Sequence, residues 1–396
     1  MRLLLLIIGF LMLFSAEILR VYYIMPFPGS QEAETIQIAY WISSNIVYIR
    51  LIGLALVIYP FFYFFQRTTS TMKVILCVVF GFYAVVFYMF NYLLVADSMF
   101  IQLKNKVYLD AAGNKVRTNQ LVLGISINNE SKAYPIEVIG YHHQVRDVVG
   151  GEEVMVTYCT VCRAGRVFSP VVNGMTEKFR LVGMDHYNAM FEDVSTKSWW
   201  RQVNGEAIIG ELKGKTLNEI PSSQMTLAEW IDLYPDTKVL QPDTIFAEAY
   251  KGLEDYDEGK RTGRLERKDS LSWKDKSWIV GMQVGMDARA YDWIELQKLR
   301  VINDVVGGTP VVVALSPDSI SHHSYSRRVD TETLVFSLDN TTGYLIDSKT
   351  NSRWKWNGKC VEGPMVGKEL MPIQSYQEYW HSWKIFHSQT KQFVPG

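Results

Sequence analysis

The sequence predicts an α+β protein in which three transmembrane helices precede a β-rich extracytoplasmic domain built from two pseudo-repeats. Three observations predict this fold class. Residues 1–96 carry only eight charged side chains and hold three long apolar runs. From about residue 100, short alternating segments separated by turn residues replace the apolar runs. The chain also resembles itself at a spacing of about 157 residues, which indicates an internal repeat.

The three apolar runs are long enough to cross a bilayer, whose core takes about 20 helical residues. They cover Leu3–Ala16 with its continuation Val21–Met25, then Ile46–Phe65, then Val74–Ala96. A cleaved signal peptide is the alternative for the first run. Phe14, three residues before a cut after Ala16, is too bulky for the cleavage rule, so we expect an uncleaved span. The expected partner of residues 3–96 is the lipid bilayer.

The charges that flank these runs predict an orientation. Arg67 and Lys73 lie in the link between the second and third runs, whereas the first link carries Glu32 and Glu34. Because basic links stay in the cytoplasm, three spans place everything after residue 97 on the outer side. We therefore expect an integral protein of a bacterial inner or plasma membrane with a periplasmic domain.

Four segments of the globular part have clear patterns. Leu121–Ile127 and Val154–Tyr158 are predicted to be strands, and Thr226–Leu233 is predicted to be a short helix capped by Thr226. Tyr250–Lys276 is strongly charged and lacks periodicity, so we expect an exposed connector.

The repeat relates two halves of the chain, about 120–240 and about 278–391. Arg146–Gly151 matches Asn303–Gly308, and after a three-residue shortening Trp200 matches Trp354 and Trp230 matches Trp383. Chance does not explain so many ordered matches that include tryptophan and glycine. The predicted domains are a membrane anchor at 1–98, a first pseudo-repeat at 99–240, a charged connector at 241–277 and a second pseudo-repeat at 278–396.

Composition excludes two classes of protein. The 40 basic and 41 acidic residues nearly cancel, so no basic face predicts nucleic-acid binding. Four cysteines are too few for a disulfide scaffold. The sequence indicates no protein partner, no substrate, and no role for Cys360, His322 or His323.

The candidate site is the densest group of sulfur, imidazole and carboxylate side chains, within residues 155–193. Cys159 and Cys162 form a Cys-x-x-Cys pair at a predicted hairpin tip, which resembles a metal knuckle. One such pair supplies only two ligands. The remaining candidates are His186, Met184 and His142, with Asp185 as the carboxylate that orients His186. Thiolate, thioether and imidazole together favour copper, and zinc is the alternative.

Metal binding is the leading hypothesis, and two others stay open. One is a non-enzymatic interaction or structural module in which a Cys159–Cys162 disulfide staples the hairpin. The other is a membrane-tethered thiol–disulfide oxidoreductase, although no amphipathic helix follows Cys162 to lower its pKa. For His142 and its neighbour His143, a solvated pair in a polar turn is the alternative to a ligand role.

The second half serves as an internal control for the cysteines. It carries Ser316 and Ser319 where the first half carries Cys159 and Cys162. Glycines and tryptophans recur between the halves because the fold needs them, whereas the thiols do not recur. This difference favours a functional site in the first half.

Several short motifs, weak singly but specific together, resemble one known family. They include Ala133-Tyr134-Pro135, Val148-Val149-Gly150-Gly151, Tyr158-Cys159-x-x-Cys162 and Gly205-Glu206-Ala207. Over about residues 100–391 the chain resembles the family called domain of unknown function 3179. The resemblance implies that Tyr158, Cys159 and Cys162 match a Tyr-Cys-Pro-x-Cys motif, with Thr160 in place of the proline. His142 falls where members often carry Trp-His-Glu, here Tyr141-His142-His143, so no role of the glutamate is carried over. The resemblance implies no established reaction.

Overall fold

The structure, a computed structural model, describes residues 1–395. An amino-terminal helical region precedes a sheet-rich domain of mixed helices and strands. The helices are α1 (Arg2–Tyr22), α2 (Ile36–Arg67), α3 (Ser70–Tyr88, continued by a π-helical turn over Met89–Leu93), α4 (Ala96–Met99), α5 (Ile136–His142), α6 (Leu227–Leu233), α7 (Ala247–Lys251), α8 (Trp293–Leu299) and α9 (Trp380–Phe386).

The strands of the first half and its flanks are β1 (Tyr108–Asp110), β2 (Leu121–Ile127), β3 (Glu130–Pro135), β4 (Gln144–Val149), β5 (Glu152–Cys159), β6 (Ala164–Phe168), β7 (Val171–Val172), β8 (Met175–Thr176), β9 (Phe179–Asp185), β10 (Asn188–Asp193), β11 (Trp199–Arg201), β12 (Ala207–Ile209), β13 (Ser223–Thr226) and β14 (Lys238–Leu240). Those of the second half are β15 (Trp278–Val284), β16 (Asp287–Asp292), β17 (Val301–Val306), β18 (Thr309–Leu315), β19 (His322–Ser326), β20 (Arg328–Val329), β21 (Glu332–Thr333), β22 (Phe336–Leu338), β23 (Leu345–Asp347), β24 (Arg353–Trp354), β25 (Cys360–Glu362), β26 (Ser375–Tyr379) and β27 (Lys391–Gln392).

The chain divides into two compact units. The first unit holds Met1–Ile101, Glu177–Arg201 and Glu206–Thr216, and the second holds Gln102–Thr176, Gln202–Gly205 and the chain from Leu217 onward. The predicted domain boundaries stay predictions.

Three helices within residues 1–395 are long and apolar enough to cross a membrane, as predicted: α1, α2, and α3 with its π-helical turn. α1 and α2 approach closely through glycines. A Cβ atom on Gly9 would stand 2.7 Å from Val57 Cγ2, and one on Gly53 would stand 2.7 Å from Leu13 Cδ2. Small residues that allow close helix contact are typical of membrane helix pairs.

A buried polar cluster joins these helices inside the first unit. The Arg50 guanidinium donates two hydrogen bonds to the fully buried Glu17 carboxylate, at 2.7 and 2.8 Å. Asn91, in the π-helical turn, donates to Glu17 and accepts from Arg50 and Arg20. A charge in an apolar region is costly unless it is paired, and each charge here is paired.

The first unit also contains the antiparallel sheet β12-β11-β10-β9. Trp199 on β11 makes an edge contact with Tyr40 on α2, with ring centroids 5.1 Å apart. Gly183 on β9 lies directly against the Ile24 carbonyl. A Cβ atom on Gly183 would stand 2.3 Å from the Ile24 carbonyl oxygen. Contact with this sheet explains why α2 begins at Ile36, ten residues before the predicted apolar run.

The second unit contains two sheets with the same order of elements. In the first, β13-β2-β3-β14-β1, strand β2 confirms the predicted Leu121–Ile127 strand. α6 confirms the predicted helix, and the Thr226 hydroxyl accepts a hydrogen bond from the Glu229 amide at 3.4 Å. The second sheet is β26-β15-β16-β27. In each sheet a tryptophan ring packs directly against a glycine of an inner strand. Trp230 packs against Gly124, and Trp383 packs against Gly281.

The same hydrogen bonds recur at positions that the sequence alignment pairs. The Trp230 indole donates to Thr237 Oγ1 at 2.8 Å, and the Trp383 indole donates to Thr390 Oγ1 at 2.9 Å. The amide of Leu227 donates to the Gln120 carbonyl, as the amide of Trp380 does to the Ser277 carbonyl, both at 2.9 Å.

Candidate functional site

The two cysteines lie on a hairpin in the second unit, as predicted. Strands β5 and β6 are antiparallel, with Cys159 opposite Ala164, so Thr160–Arg163 forms the turn between them. Arg163 adopts a positive φ of 58°, which closes this turn. Cys159 is 1% exposed and Cys162 is fully buried. In residues 1–395 no disulfide joins any of the four cysteines.

A segment from between the two halves holds the backbone of this turn. The Tyr256 hydroxyl donates to the Thr160 carbonyl at 2.9 Å, and the Lys276 ammonium donates to the Val161 carbonyl at 2.5 Å. In return, the Arg163 guanidinium donates to the carbonyls of Tyr256 and Asp257, both at 3.1 Å. The turn and the segment therefore fix each other.

The prediction that Tyr250–Lys276 is an exposed connector is wrong for its apolar positions. Tyr250 is 3% exposed, Leu253 9% and Tyr256 1%, and all three join the core cluster of the first half. The charged residues between them dominated the sequence pattern. The aromatic and leucine side chains decide the burial. Tyr256 contacts the cysteine hairpin, whereas Tyr250 and Leu253 contact α5.

Arg163 is a buried cation beside the thiols. Its guanidinium lies 3.7 Å from the ring centroid of Trp278 and 5.1 Å from that of Tyr256. Its Nε donates to Gln377 Oε1 at 2.9 Å. Burial raises the pKa of the nearby Asp257 carboxyl to about 6, although the Arg163 charge opposes that rise.

The Cys162 thiol has a second thiol and an imidazole as neighbours. It is within hydrogen-bonding reach of the Cys159 sulfur and of His381, a residue of α9. His381 Nδ1 lies 3.0 Å from the Asp275 carbonyl oxygen. A carbonyl only accepts, so the proton resides on Nδ1 and Nε2 is left as the acceptor. The arrangement is a thiol beside a base whose orientation is fixed by a third group.

Two pKa shifts describe the protonation of this site. Burial raises the pKa of the Cys162 thiol well above its ordinary value, the hydrogen bond with Cys159 raises it further, and His381 lowers it. Burial lowers the pKa of Lys276 to about 8, and the nearby thiols oppose that fall. Each ionised partner favours the other, so formation of a thiolate keeps Lys276 protonated.

The Met184-Asp185-His186 run lies in the first unit, at the tip of the hairpin formed by β9 and β10. His186 and Tyr187 connect the strands with positive φ values of 50° and 64°. Two-residue hairpin turns of this kind favour Asn-Gly, so bulky residues here carry backbone strain. Met184 is 8% exposed, and its amide donates to the Ile24 carbonyl at 2.7 Å.

Asp185 contacts both His186 and Arg201. Its Oδ1 lies 2.6 Å from His186 Nδ1 and its Oδ2 lies 2.5 Å from Arg201 Nε. Burial opposes ionisation of Asp185, but these hydrogen bonds outweigh it and lower its pKa. The hydrogen bond with Asp185 raises the pKa of His186 more than burial lowers it. His186 Nε2 also lies 3.6 Å from the exposed Glu34 carboxylate.

His142 and His143 are buried, 1% and 3% exposed, so the interpretation as a solvated pair is wrong. His142 Nε2 lies 2.8 Å from the Tyr250 hydroxyl, and its ring contacts Tyr141 and Phe246. Burial lowers the pKa of His143 to about 4, so it is neutral at pH 7. The helix α5 ends here because His143 adopts the left-handed conformation.

The predicted metal ligands divide between the two units, and their role stays a prediction. Among the described residues, 1–395, no group of three or more His, Cys, Asp or Glu side chains is placed to hold a metal ion. Cys159, Cys162 and His142 belong to the second unit, and Met184, Asp185 and His186 belong to the first.

Sequence reasoning missed His381 and Lys276. His381 lies two residues before Trp383, so the repeat aligns it with Ala228, two residues before Trp230. The cysteines were singled out because the second half has serines at the matching positions. His381 differs from its match, Ala228, in the same way, so this comparison could have found it.

One comparison with known proteins identifies the family. The model of the family described as Protein of unknown function (DUF3179) matches residues 102–390, which confirms the suspected resemblance. The chain belongs to the DUF3179 family. The match includes both cysteines, His381, Lys276 and the β9–β10 hairpin, but not the three apolar helices. No curated protein and no solved structure matches this DUF3179 chain.

Proposed function

We propose that the protein is a membrane-anchored thiol–disulfide oxidoreductase in which Cys159 and Cys162 are the exchanging pair. One observation carries the proposal: the Cys162 thiol has both the Cys159 sulfur and an oriented imidazole within hydrogen-bonding reach. A structural disulfide needs no base beside it. A dithiol that exchanges electrons does, because the thiolate is the nucleophile.

The proposed reaction begins with transfer of the Cys162 proton to the His381 imidazole, while the Lys276 ammonium stabilises the thiolate. The thiolate attacks one sulfur of a substrate disulfide, so that a new S–S bond forms and the substrate S–S bond breaks. The leaving thiolate takes the proton from His381. Cys159 then attacks the Cys162 sulfur, so that the Cys159–Cys162 disulfide forms and the Cys162–substrate S–S bond breaks. The Cys159 proton passes to the departing substrate sulfur, which leaves as the second thiol. Two electrons and two protons pass from the protein to the substrate, and a dithiol reductant resets the pair.

Access to the pair requires movement of its cover. Both cysteines are buried, and Tyr256 and Lys276 hold the turn from outside. Reaction with a large disulfide therefore needs displacement of the segment around Tyr256. Displacement also rehydrates the thiols, and this lowers the pKa that burial raises.

The reduction potential tests the proposal. The full chain in lipid nanodiscs, with Cys77→Ser and Cys360→Ser so that only the pair titrates, is equilibrated in glutathione buffers and then alkylated. We expect a potential of about −120 to −270 mV, the range of redox proteins. A potential below about −300 mV is that of a structural staple and would overturn the proposal.

The exchange rate tests the role of the imidazole. His381→Ala should slow the reaction of the pair with oxidised glutathione by about 100-fold, the scale of a lost general base. His387→Ala is the matched control, since His387 stacks on Trp383 at 3.7 Å near the end of the same helix. Equal rates for wild type and His381→Ala would refute a base at this position.

Metal binding is a second candidate function, favoured by the same two sulfurs. Two thiols are soft donors of the kind that copper(I) prefers. Elemental analysis of the chain, purified without chelator or affinity histidines, should find about one copper or zinc that disappears in Cys159→Ser/Cys162→Ser. A metal-free protein with both thiols titratable contradicts this candidate and leaves the exchange proposal standing.

We further infer that the two halves arose by duplication and that residues after 97 lie on the outer side of a membrane. Support for the duplication comes from hydrogen bonds that recur at aligned positions, including Tyr158 with the carbonyl of His143 and Leu315 with that of Arg300. Support for the orientation comes from Arg67 and Lys73, which flank the link between α2 and α3. An alkaline phosphatase fusion after residue 97 should be active, and an inactive fusion would reverse the orientation.

A further inference from the structure

The second unit contains a cavity of about 470 Å³, separate from the thiol pair in its lining residues. Ligand-binding cavities in proteins measure about 300–1,000 Å³, so its size suits a small molecule. Both halves contribute to its wall: Trp230 and Tyr234 come from the first half, and His323, Tyr325 and Trp356 from the second. His322 and His323, which the sequence left without a role, both line it.

One part of the wall is aromatic. The rings of His323 and Trp356 lie 5.2 Å apart, and those of Trp230 and Tyr234 lie 4.2 Å apart. Both indole N–H groups are already used, since Trp356 donates to the Gly343 carbonyl and Trp230 donates to a threonine hydroxyl. Trp356 therefore offers a ligand the carbon surface of its ring rather than a hydrogen bond, whereas Trp230, which is 1% exposed, is covered by Tyr234.

The imidazole of His323 is held in a fixed position. Its Nε2 lies 2.7 Å from Glu229 Oε1, and the Ser316 hydroxyl donates to the same oxygen at 2.6 Å. Ser316 stands where the first half has Cys159. At the position of the second half that matches the thiol pair, the Glu229 carboxylate, the Ser316 hydroxyl and the His323 imidazole therefore stand in place of thiols.

The rest of the wall is rich in neutral hydrogen-bonding groups. The lining includes Ser222, Gln224, Ser324, Asn357 and Gln374. The hydroxyl oxygens of Ser222 and Ser324 are buried and have no hydrogen-bond partner within residues 1–395, and Ser324 is only 5% exposed. Buried polar atoms are nearly always satisfied by protein, water or ligand. Two such atoms at one cavity point to a ligand with hydroxyl groups.

The charges of the wall disfavour an anion. Among the described lining residues there is no lysine and no arginine, whereas Glu369 is present. Burial lowers the pKa of His322 to about 4, so this imidazole is neutral at pH 7. Phosphorylated or carboxylated ligands would enter without a countercharge.

We propose that this cavity binds an uncharged saccharide of one or two rings. A sugar ring has C–H faces that pack on aromatic carbon and hydroxyls that both donate and accept. The wall offers the same two features, carbon surface from Trp356 and Tyr234 and hydroxyl or amide groups from Ser324 and Gln374. This function goes beyond thiol exchange and rests on different residues.

Binding is tested with defined sugars on the full chain in phosphatidylcholine nanodiscs, which avoids glycoside detergents. The probes are glucose, N-acetylglucosamine and their β1,4-linked disaccharides, with glucose 6-phosphate as the anionic comparison, read by calorimetry and tryptophan fluorescence. At least one neutral sugar should bind with a dissociation constant below about 1 mM. Ser324→Ala, which removes a hydroxyl that bonds nothing in the protein, should weaken binding about 3- to 10-fold.

Two further variants make the test decisive. Trp356→Ala should abolish measurable binding, and Ser337→Ala, at the exposed position of strand β22, should leave it unchanged. Cys159→Ser/Cys162→Ser should also leave it unchanged, so that failure here is distinguishable from failure of the thiol proposal. No binding of any neutral sugar at about 10 mM, tighter binding of glucose 6-phosphate, or full binding by Ser324→Ala would each overturn the proposal. If Trp356→Ala does not fold, Ser324→Ala carries the test.

Discussion

Replacing Lys276 with methionine tests whether a buried amine stands beside the thiols. Burial lowers the pKa of Lys276 to about 8 from an ordinary value of 10.5. The folded protein therefore binds this proton less tightly than the unfolded chain. Below about pH 8 Lys276 is protonated in both states, so the free-energy cost of burying its charge is at its largest. As the pH rises from 8 to 10.5, the unfolded chain also loses the proton, so the cost disappears and stability rises.

The size of this effect follows from the shift. One pKa unit corresponds to about 1.4 kcal/mol, so about 2 kcal/mol of stability should be recovered between pH 7 and pH 9.5. Methionine keeps the apolar stem but cannot titrate. The wild type should therefore gain about 2 kcal/mol more than Lys276→Met across this interval.

The assay is denaturant unfolding of the full chain in detergent, followed by tryptophan fluorescence at both pH values. Lys298→Met is the matched control, because Lys298 is largely exposed and paired only with Glu295 on the same helix. Subtracting the variant from the wild type cancels all other titrating groups. The same pH dependence in wild type and Lys276→Met would refute a depressed pKa at this position.

Three further substitutions have expected outcomes. Gly9→Ala should destabilise the helical region by about 1–3 kcal/mol, because the new Cβ atom would clash with α2. Gly81→Ala is the control: its Cβ atom would have no neighbour within 4 Å, so this variant should be slightly more stable than the wild type. Equal melting temperatures of the two variants would contradict this expectation. His186 has a raised pKa, so its protonated form contributes stability below pH 6.5 and that contribution is lost as the pH rises through the folded pKa. Replacing it with asparagine should therefore lower the melting temperature more at pH 5.5 than at pH 9, and an equal loss at both would show that Asp185 does not favour the charged form. Tyr256→Phe removes the bond to the cysteine turn, so alkylation of the thiols should become several-fold faster at a cost of about 1 kcal/mol in stability, and an unchanged rate would contradict the cover.

Local patterns in the sequence predicted local structure correctly. The alternation of Leu121–Ile127, the cap at Thr226 and the apolar runs depend on neighbours in the chain, and each corresponds to an element. The Cys-x-x-Cys hairpin followed from two short strands and a turn.

The rest of the candidate site depends on contacts across the chain. Cys162 meets His381 from the last helix and Lys276 from the segment between the halves, and no short pattern links such distant positions. The segment Tyr250–Lys276 misled because charge dominates its composition. Its buried side chains are few, and only the tertiary structure shows that they contact the cysteine hairpin and α5.

Each half of the chain contributes a helix residue to the polar group of the other half. The helix α9, from the second half, brings His381 to the thiols of the first half, and α6, from the first half, brings Glu229 to Ser316 and His323 of the second. Neither half alone contains all the residues of either group, so each group forms only where both halves are folded together. Because one chain carries both halves, the residues of each group meet at a high effective concentration. The two groups differ in chemistry, one built on thiols and the other on a hydroxyl, a carboxylate and an imidazole.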